Sequence, residues 1–149
     1  MAWRATAADS RSPGVDRSWA LQVLPDRLAV ARLEPDADWP TWSLGAGRFL
    51  SITRTKDELS IVCREEAVPA GVTSEGGWRA LVVDGPLDFS EVGVLAALTD
   101  ALAHEGVSIF AISTYDTDYL LVRAPDLERA IEALRARGHR VQNLSDRVI

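Results

Sequence analysis

Residues 107–123, VSIFAISTYDTDYLLVR, limit the folds open to this chain more than any other stretch. Two runs of β-branched, aromatic and aliphatic residues flank Ser113-Thr114-Tyr115-Asp116-Thr117-Asp118. Runs of that composition favour strands, and a short polar break between them is turn chemistry. The stretch therefore predicts an antiparallel hairpin with a polar tip. An isolated two-stranded hairpin is marginal in water, so its apolar face needs cover from the flanking sequence.

That cover is legible. WRALVVDGPL, from Trp78, predicts a strand closed by an Asp84-Gly85-Pro86 turn. A helix follows with Val92, Leu95, Leu98 and Leu102 at helical spacing, and Gly106 is placed to end it. Asp88 stands three residues before Glu91, a capping-box spacing, while Ser90 is an equally good N-cap. After the hairpin, Pro125-Asp126 opens a second helix with a Leu127, Ala130, Ile131, Leu134 stripe. Arg135 and Arg137 suit the negative end of that helix, and Gly138 stops it. His139 to Val141 supply a last strand. The order β-α-β-β-α-β is the ferredoxin-like split unit, an α+β fold with an antiparallel sheet and helices on one face.

The first half repeats this form more weakly. WALQVLPDRLAVARL reads as two strand pieces around Pro25-Asp26-Arg27, and RFLSITRTKDELSIVCRE as a hairpin turning at Thr55-Lys56-Asp57-Glu58. Pro40 and nearby glycines keep any helix between them short, and EEAVPAGVTSEGG implies little regular structure. At an offset of 60, Ile52 meets Ile112, Thr53 meets Ser113, Glu58 meets Asp118 and Val62 meets Val122, while Leu21 meets Leu81 and Val23 meets Val83. The expectation is a tandem of two units: an aperiodic tail at 1–18, a degenerate unit at 19–77 and a complete unit at 78–149.

Composition narrows the function. The formal charge of −6 disfavours nucleic acid and anionic membrane surfaces. No apolar run approaches a membrane span and the N-terminus lacks the apolar core of a signal peptide, so a cytoplasmic protein is expected. Cys63 is the only cysteine and sits in an apolar run, which reads as an inert core thiol. The two histidines, His104 and His139, have no evident nucleophile or paired acid, and no nucleotide loop appears, so no enzyme, cofactor or metal is expected.

The segment DGPLDFSEVGVLAALTDALAHEGVSIFAISTYDTDYLLVR resembles the ACT domain, a small ferredoxin-like module that binds amino acids and regulates metabolic enzymes. With its degenerate first copy, the chain is similar to the tandem-ACT proteins related to CASTOR-type arginine sensors and aspartate kinase regulatory domains. The resemblance implies a free amino acid as ligand, dimerisation or other homo-oligomerisation, and a regulated enzyme partner. It places the ligand where the loop after the first strand and the first helix start face a neighbouring unit. The residues implied are Ser90, Val92, Gly93, Ser113, Thr114 and Asp118. Amide N–H groups at a helix start favour a carboxylate, Gly93 allows close approach, and Asp118 is suited to an ammonium or guanidinium group. Asp116 reads as turn chemistry, and the D-x-D spacing lacks the further carboxylates a Mg²⁺ site needs. The competing reading is a ligand-free interaction module in which the tip is only a turn.

Overall fold

The computed structural model describes residues 17–143, apart from 46, 48, 89 and 90. The expected tail therefore falls almost wholly outside the described residues. The strands are β1 (Ala20–Val23), β2 (Leu28–Leu33), β3 (Ser51–Arg54), β4 (Leu59–Arg64), β5 (Thr73–Val83), β6 (Ile109–Ser113), β7 (Asp118–Arg123) and β8 (Arg140–Asn143). The helices are α1 (Val94–His104) and α2 (Leu127–Ala136), with short 3-10 turns at Thr41–Ser43, Glu65–Ala67 and Ala124–Asp126. This is an α+β chain of ferredoxin-like units, sheet on one side and helices on the other.

The eight strands share one sheet. The path β3-β4-β2-β5 continues through β7 to β6, and β1 and β8 branch from β5 on its other edge. Every pair is antiparallel except β1 with β8, which is parallel. In a split βαββαβ unit the fourth strand lies beside the first. Here β1, from the N-terminal half, is inserted between β5 and β8.

β5 is the strand both halves use. Its first residues pair with β2 from Arg32↔Thr73 to Leu28↔Trp78, and its last with β1 from Val23↔Leu81 to Leu21↔Val83. The register shifts between Leu28 and Val30 where Gly77 takes φ +77°. The polar, glycine-containing run before Trp78 is thus strand, contrary to the irregular structure its composition implies. Propensity is overridden because β2 offers it a ladder of hydrogen bonds. Glu65 secures the bulge: one carboxylate oxygen accepts the Gly77 N–H at 2.8 Å and the other the Arg27 Nε–H at 3.2 Å.

The pairing also corrects the repeat. Arg54↔Leu59 closes the first hairpin and Ser113↔Asp118 the second, so equivalent residues are 59 apart (113 − 54 and 118 − 59), not 60. Leu28↔Arg64 and Trp78↔Arg123 are also equivalent, making β2 the counterpart of β5 at an offset of 50 (78 − 28). Leu21 and Val23 are not counterparts of Leu81 and Val83 but their cross-strand neighbours. The nine extra residues between first strand and hairpin (59 − 50) are where the second unit builds α1.

Three apolar clusters follow from this arrangement. Leu21, Val23, Leu81, Val83, Leu120, Val122 and Val141 pack under Leu98, Leu102, Leu127, Ala130, Ile131 and Leu134 of the helices. The opposite face joins the units through equivalent pairs, Leu28 with Trp78 and Val62 with Leu121, beside Ala80 and Phe49. The Arg123 guanidinium lies 4.0 Å over the Trp78 ring, a cation–π contact that shields the exposed side of that cluster. Under the first unit, Ala31, Leu59, Ile61 and Cys63 are covered by Ala37, Trp42 and Val68 from loops, where a complete unit has helices. Burial raises the Cys63 pKa, which keeps the thiol protonated and inert.

His139, 6% exposed, holds Trp19, which packs against the helix-covered core. Its Nδ1 accepts the Trp19 backbone N–H at 3.2 Å, and the two rings pack with centroids 5.4 Å apart. Burial, and then the positive charge of Arg137, hold its pKa below the ordinary 6.5. The folded state therefore takes up this proton less readily than the unfolded chain. The stability from neutral His139 is complete above about pH 6.5 and is lost as pH falls through the folded-state value. Urea unfolding of the wild type and His139→Gln between pH 7.5 and 5 should show the wild type losing more stability; parallel losses would remove His139 from the acid response.

Candidate functional site

The loop after β5 and the β6–β7 tip are joined by backbone. The Leu87 N–H donates to the Asp116 carbonyl at 2.7 Å, and the Thr117 hydroxyl donates to the Val83 carbonyl. A Cβ on Gly85 would stand 2.9 Å from the Asp116 carbonyl oxygen, so only glycine lets the two segments approach this closely. The Glu91 N–H closes a turn on the Asp88 carbonyl at 2.9 Å.

α1 begins two residues later than the apolar spacing suggests. Gly93 is its N-cap at φ +89°, in the left-handed region, and as glycine it brings no capping side chain of its own. The Asp88 capping-box reading is thus replaced by a tight turn followed by a glycine cap, and Val92, 83% exposed, is outside the stripe, which Val94 opens instead. Nothing lies within 4 Å of a Cβ built on Gly93, so backbone conformation alone requires glycine there. Gly93→Ala should cost about 1–2 kcal/mol in thermal or urea unfolding; an unchanged midpoint would show that this turn relaxes without penalty.

Between loop and tip lies a cleft of about 200 Å³ lined by Leu87, Asp88, Glu91, Val94 and residues 113–118. Among the described residues, the carboxylates of Asp88, Glu91, Asp116 and Asp118 border it and no basic side chain does. Glu91 is held in place by the indole N–H of Trp19 at 3.4 Å and the Arg17 guanidinium at 3.9 Å. The Ser113 hydroxyl donates to the Asp118 carboxylate at 2.7 Å across the strand pair. Thr114 holds the turn, its hydroxyl donating to the Thr117 carbonyl at 3.1 Å and accepting the Thr117 N–H at 3.3 Å.

Of the expected site residues, Ser113, Thr114 and Asp118 line this cleft. Gly93 and Val92 adjoin it through the helix start, and Ser90 lies outside the described residues. Leu87, Asp88, Glu91, Tyr115 and Thr117 line it too, although no sequence pattern places them in a site. The turn formed by Asp88 and Glu91 was the available signal, but it reads as a helix cap. Neither of two other hollows has this character. One, of about 290 Å³ between β3, β4 and β6, is lined by Ser, Thr and apolar residues without a charge. In the other, near Arg140, Asp84 already accepts an N–H from Gln22 at 2.8 Å. Among the described residues no group of His, Cys, Asp and Glu is arranged to hold a metal, and no helix is long and apolar enough to cross a membrane.

A helix start facing a polar hairpin tip on a βαββαβ unit leads to the ACT domain, to which residues 73–136 of the chain belong. The model of the ACT domain matches residues 73–136, and a second model, for an N-terminal domain, matches residues 26–71. Human CASTOR3P is 33% identical over 93 residues, covering 54% of this chain and 57% of its own. The human cytosolic arginine sensor for mTORC1 subunit 1 is 36% identical over 69 residues, 44% of this chain and 21% of that one. The chain thus spans between about a fifth and a little over half of these relatives. A crystal structure of a protein from Agrobacterium tumefaciens superposes with a TM-score of 0.80 at 38% identity, covering 85% of this chain and 94% of that one. The regulatory subunit of aspartate kinase from Thermus thermophilus shares the fold, with a TM-score of 0.57 at 15% identity over 78% of this chain and 96% of that one.

Proposed function

We propose that this protein is a non-catalytic, amino-acid-binding regulatory module and that its ligand occupies the cleft between α1 and the β6–β7 tip. The observation that carries this reading is the opposition of the α1 start, capped by Gly93 without a side chain, and the Asp118 carboxylate across one small space. The helix N-terminus favours a carboxylate by roughly 0.3–1 kcal/mol, and a hydrogen bond from an ammonium group to Asp118 contributes about 1.5–3 kcal/mol. Those groups match the two ends of a zwitterion. At about 200 Å³ the space is smaller than the ~300–1,000 Å³ of pockets for drug-sized ligands, in keeping with a single amino acid. The relatives named as cytosolic arginine sensors support the class and make arginine the first ligand to test.

Occupancy acts by differential affinity for two arrangements of the chain or its assembly, and the output passes to a homo-oligomer or a regulated enzyme in the cytosol. Val92 and Tyr115, 83% and 80% exposed beside the cleft, suit coverage by a neighbouring copy. The same two side chains favour the alternative, an assembly surface without ligand. Calorimetry and thermal shift against the twenty amino acids, arginine first, separate the two readings. The sensor reading expects heat and a raised melting temperature from at least one at millimolar concentration or below; no response from any leaves the assembly surface. Light scattering should show a dimer or larger species, and a monomer at every concentration would contradict the oligomer.

A further inference from the structure

The internal duplication supplies a template for what the cleft holds. Arg54 in β3 is the register equivalent of Ser113 in β6, and Leu59 is that of Asp118. The loop after β2 corresponds at an offset of 50 to the loop after β5, so Pro35 and Ala37 match Gly85 and Leu87. The Arg54 guanidinium donates to the Pro35 carbonyl from one terminal nitrogen and to the Ala37 carbonyl, at 2.9 Å, from the other. A side chain reaching out from the hairpin thus joins strand to loop in the first unit. In the second unit the matching strand residue is the short Ser113, the matching loop residue is Leu87, and both line the open cleft.

We propose that Arg54 is an internal ligand of the first unit: its guanidinium takes, against the loop carbonyls, the place that a free guanidinium group takes in the second. The planar fork of a guanidinium meets two acceptors at once, which a lysine ammonium or a neutral amide does not reproduce. The first unit is therefore self-occupied, and the cleft of the second unit is the one left open for ligand at these matched positions. This deepens the proposed function and, for the second unit, rests on it; the claim about Arg54 stands on the first unit's own hydrogen bonds.

Two experiments test the two halves separately. Ser113→Arg transplants the internal ligand into the second unit, with Ser113→Ala as control. Ser113→Arg should fold, melt no lower than Ser113→Ala, and bind L-arginine at least about tenfold more weakly than Ser113→Ala in calorimetry. Equal affinity in the two variants, or a Ser113→Arg chain that does not fold, overturns the equivalence. In the first unit, Arg54→Ala combined with Asp118→Ala leaves only the vacated place, and millimolar L-arginine should raise the melting temperature of that double variant more than L-citrulline does. Equal effects of the two overturn the internal-ligand assignment. If the wild type binds no amino acid but the double variant responds to arginine, the proposed function fails while the Arg54 assignment stands.

Discussion

Leu120→Ala is expected to lower the unfolding free energy by about 2–5 kcal/mol, and Leu121→Ala by a similar amount, for reasons that lie on opposite faces of one sheet. Leu120 is fully buried among Leu98, Leu102 and Leu134, so truncation opens a hole beneath both helices. Leu121 is equally buried but packs with Leu28, Val62 and Trp78, where the two units meet. Each loss combines the transfer free energy of the missing methyl groups with a cavity that a close-packed core closes only in part. Because β5 and β7 contribute side chains to both clusters, neither unit should melt independently. Equilibrium unfolding followed by tryptophan fluorescence and by far-ultraviolet circular dichroism should give coincident transitions in both variants. A loss below 1 kcal/mol for Leu121→Ala, or two separated transitions, would show the interface between units to be dispensable.

The parts of this fold that are local in sequence were legible there. The β6–β7 hairpin and the α2 stripe of Leu127, Ala130, Ile131 and Leu134 appear as read, because periodicity and turn chemistry act over a few residues. What escaped depends on distant partners. Thr73 to Gly77 become strand only because β2 lies alongside, and β1 enters the second unit only because β5 and β8 leave room for it. The offset of 60 matched Glu58 to Asp118 by chemical likeness, whereas the two hydrogen-bond ladders, Arg54↔Leu59 and Ser113↔Asp118, make Leu59 the equivalent of Asp118. In a strand a slip of one residue exchanges the two faces, so this error hid which side chains are equivalent. At the site, the hairpin residues were legible from the resemblance. Glu91 was not, because its place is fixed by Trp19 and Arg17, more than seventy positions earlier in the chain.

The corrected register gives the second large prediction its sharpest form. Leu59, at the position equivalent to Asp118, is fully buried and serves the first unit's hairpin with no carboxylate, so a β-hairpin of this kind does not itself require one there. Asp118 is only half-buried, and its carboxylate accepts a hydrogen bond from the exposed Ser113 hydroxyl. Removing the carboxylate returns that hydroxyl to water, so Asp118→Ala should change stability by no more than about 0.5 kcal/mol. Binding should respond far more. Loss of a charged hydrogen bond worth about 1.5–3 kcal/mol corresponds to roughly a 10- to 150-fold weaker affinity. Asp118→Asn separates charge from shape, since the amide oxygen still accepts from Ser113 while attraction to a cation is gone; it should bind nearly as weakly as the alanine variant. Calorimetric titration with L-arginine, with melting curves alongside, reads both quantities. Unchanged affinity in Asp118→Ala would take the carboxylate out of the site, and retained affinity in Asp118→Asn alone would mean that it serves as a neutral acceptor and not as the counter-charge of the ligand.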